Sequence, residues 1–102
     1  MVVTTRGEID LITAPLMLQS LLEQLDEDLE HLIVDLSAVS FFSSAGLVAL
    51  LIARDRACHA AIDTHLIGVI DHRPVALVFD LTECADEFAI HPSCDAALAA
   101  IA

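Results

Sequence analysis

The sequence predicts a small α/β domain, with a central, mainly parallel sheet and helices packed largely on one of its sides. Three observations carry this. Short β-branched or continuously apolar runs alternate with helix-length amphipathic segments along the whole chain, the pattern of strand–helix–strand units. The order reads β-α-β-α-β-α-β-α with no repeat, linker or low-complexity tract, and crossover helices of this kind return the chain parallel to itself. At 102 residues the chain supports one domain, 1–102, and not a second core.

Val2–Arg6 is β-branched and reads as the first strand,. Gly7-Glu8-Ile9-Asp10 is expected to break it. Thr13 followed by Pro15 opens a helix, as an N-cap and a first-turn proline do. Leu18, Leu21, Leu22 and Leu25 then fall on one helical face,. The acidic run Asp26–Glu30 closes that helix as a solvated turn. His31–Leu36 is almost continuously apolar, as in a strand covered on both faces, and Ser37–Ser43 reads as a loop. A second helix is expected from Ser44 to His59, with Arg54 and Arg56 near its carboxyl end, where cations suit the helix dipole. Thr64–Val69 is the third strand. Asp71-His72-Arg73-Pro74 begins a third helix carrying Val75, Leu77, Val78, Phe79 and Leu81. Glu87–Ile90 is a short last strand, and Pro92-Ser93 starts an Ala-rich helix.

Composition narrows the function classes. Hydrophobic residues make up 57% of the chain and all four aromatics are Phe, so the core is aliphatic. No apolar run reaches the roughly 20 residues that span a bilayer. No basic segment followed by an apolar stretch and a cleavage site opens the chain, so a cytoplasmic location is expected. The net charge is −12 with four Arg and no Lys. Such a surface repels phosphate backbones and anionic headgroups, which argues against nucleic acid and membrane insertion and for a partner with a basic rim. Cys58, Cys84 and Cys94 form no metal-binding spacing and are expected as reduced thiols. Cys84 is expected in the core, Cys58 and Cys94 partly exposed. His31, His59, His65, His72 and His91 show no ligand spacing and read as separate surface or loop residues.

Open sheets bind ligands beyond the carboxyl ends of their strands, which selects the loops Gly7–Thr13, Ser37–Ala45 and Val69–Arg73. In the second of these, Phe41-Phe42-Ser43-Ser44-Ala45-Gly46 follows a buried strand and opens an apolar helix. A serine there lies near free backbone N–H groups and the positive end of the dipole, where a phosphate is stabilised. The plainer reading makes Ser44 a helix N-cap. A nucleophile elbow needs Gly two residues before the serine, whereas Phe41 and Phe42 hold those positions, so a serine hydrolase is a poor fit. Glu8 and Asp10, two apart in a turn, fit either a Mg²⁺ pair or, more commonly, a cap for the next helix. With glycine only at 7, 46 and 68 there is no phosphate-cradling Gly-rich loop,.

Taken together, Gly7-Glu8-Ile9-Asp10, the run Leu32–Phe41 and the helix opening Ser44-Ala45-Gly46-Leu47 resemble the STAS family, which includes bacterial anti-sigma-factor antagonists and the STAS modules of anion transporters. The likeness continues through Phe79-Asp80-Leu81-Thr82 and Phe88–Pro92, so it spans almost the whole chain. The resemblance implies a non-enzymatic regulator, without cofactor or metal, that binds a serine-kinase anti-sigma factor of ATPase fold in a partner-switching system. It places the phospho-acceptor on Ser44, with Ser43 the less favoured serine, and partner contact on Asp10, Ser43, Ser44, Ala45 and Gly46. Asp10 and Gly46 match the family pattern. Ser43 stands where the family has Asp, and Ala45 where it has Ser or Thr. The resemblance also implies that the family's first strand is missing, leaving a sheet edge open to self-association. Glu83-Cys84 replaces the Gly-Leu common after the third helix, and Cys84 then reads as a small core residue. The alternative within the family is a STAS subunit docked on a transporter's cytosolic ATPase.

Overall fold

The alternation in the sequence resolves into four strands and four α-helices in a computed structural model that describes residues 1–101. These are β1 (Val2–Ile9), α1 (Ala14–Glu23), β2 (His31–Phe42), α2 (Ser44–His59), β3 (Asp63–Ile67), α3 (Arg73–Thr82), β4 (Ala89–Ile90) and α4 (Cys94–Ile101). All neighbouring strands pair in parallel, in the order β1-β2-β3-β4. Right-handed crossovers between strands that follow one another in chain order all place their helices on the same face. The core obeys this. Met17 and Leu21 of α1, Leu47, Leu50 and Ala53 of α2, and Val75 and Phe79 of α3 pack onto Leu32, Val34, Leu36, Val39 and Phe42 of β2 and Leu66 of β3. The opposite face carries α4, which packs through Ala97 onto Ile33 and Ile67. The expected α/β sheet with helices largely on one side is therefore the observed fold.

Aromatic contacts tie the far end of α3 into this core. Phe79 stacks on Phe42 with centroids 6.3 Å apart and meets Phe88 edge-on at 5.8 Å. Arg54 of α2 reaches the turn before β4, donating from Nη1 to the Glu87 carbonyl at 2.9 Å. Its guanidinium also lies over the Phe88 ring. Arg54 Nη1 lies 3.4 Å from Glu87 Oε2 as well, but an exposed ion pair contributes little by itself, so the apolar stack dominates here.

Three groups of expectations need correction. Gly7–Asp10 does not break the first strand, which continues to Ile9, and Ser37–Ser43 is not a loop, because β2 runs to Phe42. The register explains both. Thr4 pairs with Asp35 and Arg6 with Ala38, then Gly7 pairs with Val39 and Glu8 with Phe41. At each step β2 holds one residue more than β1, which is a β-bulge. Gly7 has φ +81°, a left-handed conformation that glycine takes without steric cost, and sits at the second bulge. The buried residues of late β2 are consequently Leu36, Val39 and Phe42, three apart, which matches no regular strand.

The second correction concerns the thiols. Cys84 is only partly buried at the edge of the main core, Cys94 is partly buried against Ile33 and Ile67, and Cys58 is the exposed one. The third concerns the histidines. His65 lies in β3 and is buried, and His31 and His91 stand beside it. Smaller shifts move β3 to Asp63–Ile67 and reduce the last strand to Ala89–Ile90. Among the described residues no helix is long and apolar enough to cross a membrane. β1 forms one edge of the sheet.

Candidate functional site

Ile9 pairs with Phe42 at the last rung between β1 and β2. Their successors, Asp10 and Ser43, therefore leave the sheet side by side at its carboxyl end. The Ser43 amide fixes the junction by donating to the Ile9 carbonyl at 2.9 Å. From there one chain turns into α1 and the other into α2.

The Asp10 turn is held by its own side chains. Oδ1 of Asp10 accepts from the amides of Ile12 and Thr13, both at 2.9 Å. The Thr13 hydroxyl accepts from the Asp10 amide at 2.9 Å. Its proton lies between the Glu8 carbonyl at 2.8 Å and Asp10 Oδ1 at 3.0 Å. Hydrogen bonds to the charged form favour it, so the backbone and side-chain bonds from Thr13, with a smaller part from Ile12, hold the Asp10 carboxyl below its ordinary value. Asp10 thus closes the turn before α1 and does not cap the helix as expected, since its bonds go to amides that precede the first helical residue. Thr13 occupies the N-cap position of α1, yet its hydroxyl turns back to Asp10 and Glu8 and does not cap the helix.

At α2 the N-cap falls one residue earlier than the plainer reading placed it. Ser43 is the N-cap residue, extended at φ −99° and ψ 173°, while Ser44 is the first helical residue and is exposed. The Ser43 hydroxyl makes no capping bond, and among the described residues it is a buried oxygen without a partner. No acidic residue occupies the first turn of α2. The helix therefore opens with its positive end uncompensated by any side-chain cap, and Ser44 stands at that end. Ala45 is half-buried behind it. Gly46 is buried over the Ile9–Phe42 rung. A Cβ built there would lie 2.6 Å from Phe42 Cε1 and 2.9 Å from Ile9 Cγ2. Phe42 cannot swing away easily, because its ring is itself buried against Phe79.

All five residues singled out from sequence thus meet at one corner: Asp10, Ser43, Ser44, Ala45 and Gly46. Sequence reasoning missed the apolar surface around them. Leu11 and Ile12 are 80% and 81% exposed. Leu11, Pro15 and Leu18 face Ala45, Val48 and Ile52 across a shallow groove of about 310 Å³ between α1 and α2. Val48 and Ile52 at i and i+4 were readable as one helical stripe, but nothing in the sequence said that it faces outward. A larger cavity of about 450 Å³ shares no residue with this corner and lies along α3, lined by Ile70, Arg73, Leu77 and Ile90. The third loop is anchored separately, His72 Nε2 donating to the Val39 carbonyl at 2.7 Å.

Comparison with known proteins follows the same outline. The family model for the STAS domain matches residues 1–97. The chain is similar to a solved structure of an anti-sigma factor antagonist from Mycobacterium paratuberculosis, with 32% sequence identity and a TM-score of 0.75. The match covers 97% of this chain and 82% of that one. No curated protein sequence matches significantly.

Two outcomes follow from this geometry. Gly46→Ala overpacks the Ile9–Phe42 rung and is expected to lower stability by about 1–3 kcal/mol, read as a drop in the urea midpoint; an unchanged midpoint contradicts the close approach. The Asp10 carboxyl has a lower value folded than unfolded, so its stabilisation is present above about pH 4 and is lost as pH falls through the folded value. Asp10→Asn is therefore expected to flatten the acid limb of the stability profile below about pH 4, and parallel profiles for the two proteins contradict this.

Proposed function

The chain belongs to the STAS-domain family, and on that premise we propose that it is an anti-sigma-factor antagonist that docks a serine-kinase anti-sigma factor through the corner at Asp10 and Ser43–Gly46. Ser44 is its phosphorylation switch. The observation that carries this reading is an exposed serine at an uncapped helix N-terminus, beside an ordered carboxylate, in a chain 32% identical to such an antagonist.

The chemistry supports a docking role at this corner. Leu11, Ile12, Val48 and Ile52 supply exposed apolar area that gains from leaving water. Asp10 and the −12 net charge favour a partner whose rim is basic. Phosphorylation of Ser44 adds roughly −2 charge at the free N–H groups of α2, where a phosphate is well held. That same charge must be desolvated when an apolar surface closes over it, so docking weakens. The hydroxyl alone carries no such penalty.

One observation favours a second reading. Ser43 stands where the resemblance expects Asp, and its hydroxyl is buried rather than offered to a kinase. A STAS subunit seated on a transporter ATPase uses the same corner and needs no phosphoryl cycle. Incubation with the anti-sigma factor and ATP separates the two readings. Label on Ser44 supports the first, while absence of label together with binding to an ABC-type ATPase supports the second.

Calorimetry against the purified anti-sigma factor tests the switch. Ser44→Asp and Ser44→Glu are expected to weaken binding at least about tenfold, or about 1.4 kcal/mol, while Ser44→Ala stays close to the unaltered protein. Equal affinities for all three variants reject the assignment.

A further inference from the structure

Three histidines that are far apart in sequence stand in contact on the face of the sheet opposite α1–α3. Ile33 pairs with His65, and His65 pairs with Ala89. His31 precedes Ile33 by two residues and His91 follows Ala89 by two, so all three imidazoles fall on one face. His31 Nδ1 lies 3.2 Å from His65 Nε2, and His65 Nδ1 lies 3.0 Å from His91 Nε2. The ring centroids are 5.3 Å and 5.2 Å apart. His65, in the middle, is 8% exposed, so both of its nitrogens depend on their imidazole partners.

We propose that this imidazole row is a proton-operated latch, which holds α4 on the sheet at neutral pH and releases it in mild acid.

A neutral imidazole has one N–H and one lone pair, and an imidazolium has two N–H groups and no lone pair. Two contacts in a row are satisfied when all three rings are neutral, each donating in the same direction. One added proton is also tolerated on any ring. Placed on His65, it donates both ways; placed on either end, it reverses or keeps the direction of donation. A second proton is not tolerated. With His31 and His91 both charged, two donors meet a ring with one lone pair. With His65 and a neighbour charged, two N–H groups face each other. Either way one contact breaks, and like charges stand about 5 Å apart on a buried ring,.

Charged and titratable groups surround the row. On β3, Asp63 Oδ2 lies 3.9 Å from His31 Nδ1. Asp35 of β2 is tied to the amide and hydroxyl of Ser37. Arg54 and Cys58 of α2 share an open cavity with Asp63 and His65, while α4 brings Cys94 and Asp95. Burial first, then the charges of His91 and His31, hold the His65 imidazole below its ordinary value. The unfolded chain therefore takes up more protons than the folded one as pH falls through about 6.5, and stability declines in that direction.

The break is felt at α4 because this helix is the least anchored. Its apolar seat is Ile33, Ile67 and Ala97 with Cys94 and Ile101, a far smaller cluster than the core beneath α1–α3. His91 joins it through Pro92 and Ser93, and Ser93 caps the helix, accepting from the Ala96 amide at 3.1 Å. Displacing His91 displaces the cap.

Amide hydrogen exchange, expressed as protection factors, tests the latch at about pH 7.5 and about pH 5.5, on either side of the ordinary histidine value. In the unaltered protein, protection of Ala97–Ile101 is expected to fall at least about tenfold on acidification, while that of Leu50–Ala57 in α2 changes little. His65→Leu removes the central titration and is expected to abolish the selective fall. His91→Gln keeps a donor and an acceptor towards His65 without a charge, and is expected to reduce it if His65→Leu does not fold. Parallel loss in α2 and α4, no loss in α4, or a selective loss undiminished in His91→Gln overturns the proposal.

Discussion

The first turn of α2 rests directly on the rung that joins Ile9 to Phe42, and it can do so because residue 46 has no side chain. Much of the molecule depends on that approach. It lets α2 pack onto Leu36 and Val39, stacks Phe42 against Phe79, and so positions α3. It also fixes where Ser43 and Ser44 emerge relative to Asp10. A rigid corner of this kind lowers the ordering cost of binding a partner. The Ser43 hydroxyl is left without a protein partner at this corner.

The alternation of elements was legible in the sequence because apolar runs and amphipathic helices have different periods. The corner was legible as well, since parallel strands in chain order bring their carboxyl ends together. Late β2 was not. Its buried positions Leu36, Val39 and Phe42 are three apart, and two bulges against β1 are needed to make such spacing a strand. That the N-cap is Ser43 and not Ser44 was hidden for a related reason. Both are good N-cap residues, and only the end of the strand decides which of them precedes the helix.

The histidines were misread for a different reason. His31, His65 and His91 carry no local spacing, and what joins them is strand register, which a single sequence does not state. Cys84, expected in the core and only partly buried, likewise depends on how closely the end of α3 approaches the sheet. The pattern is consistent: what local chemistry determines was readable, and what depends on register or on a close approach was not.

The two faces of the sheet also divide the work. The face under α1–α3 and its carboxyl-end corner form a rigid platform, with exposed apolar residues beside Ser44. The other face carries a lightly seated helix and a row of imidazoles. Mapping of backbone amide shifts by NMR, as the unphosphorylated protein is titrated with an anti-sigma factor, locates the docking surface. The perturbed amides are expected to cluster at Asp10–Thr13 and Ser43–Ile52 and to leave β4 and α4 unchanged. Perturbation centred on β4 and α4, with the corner silent, would contradict this.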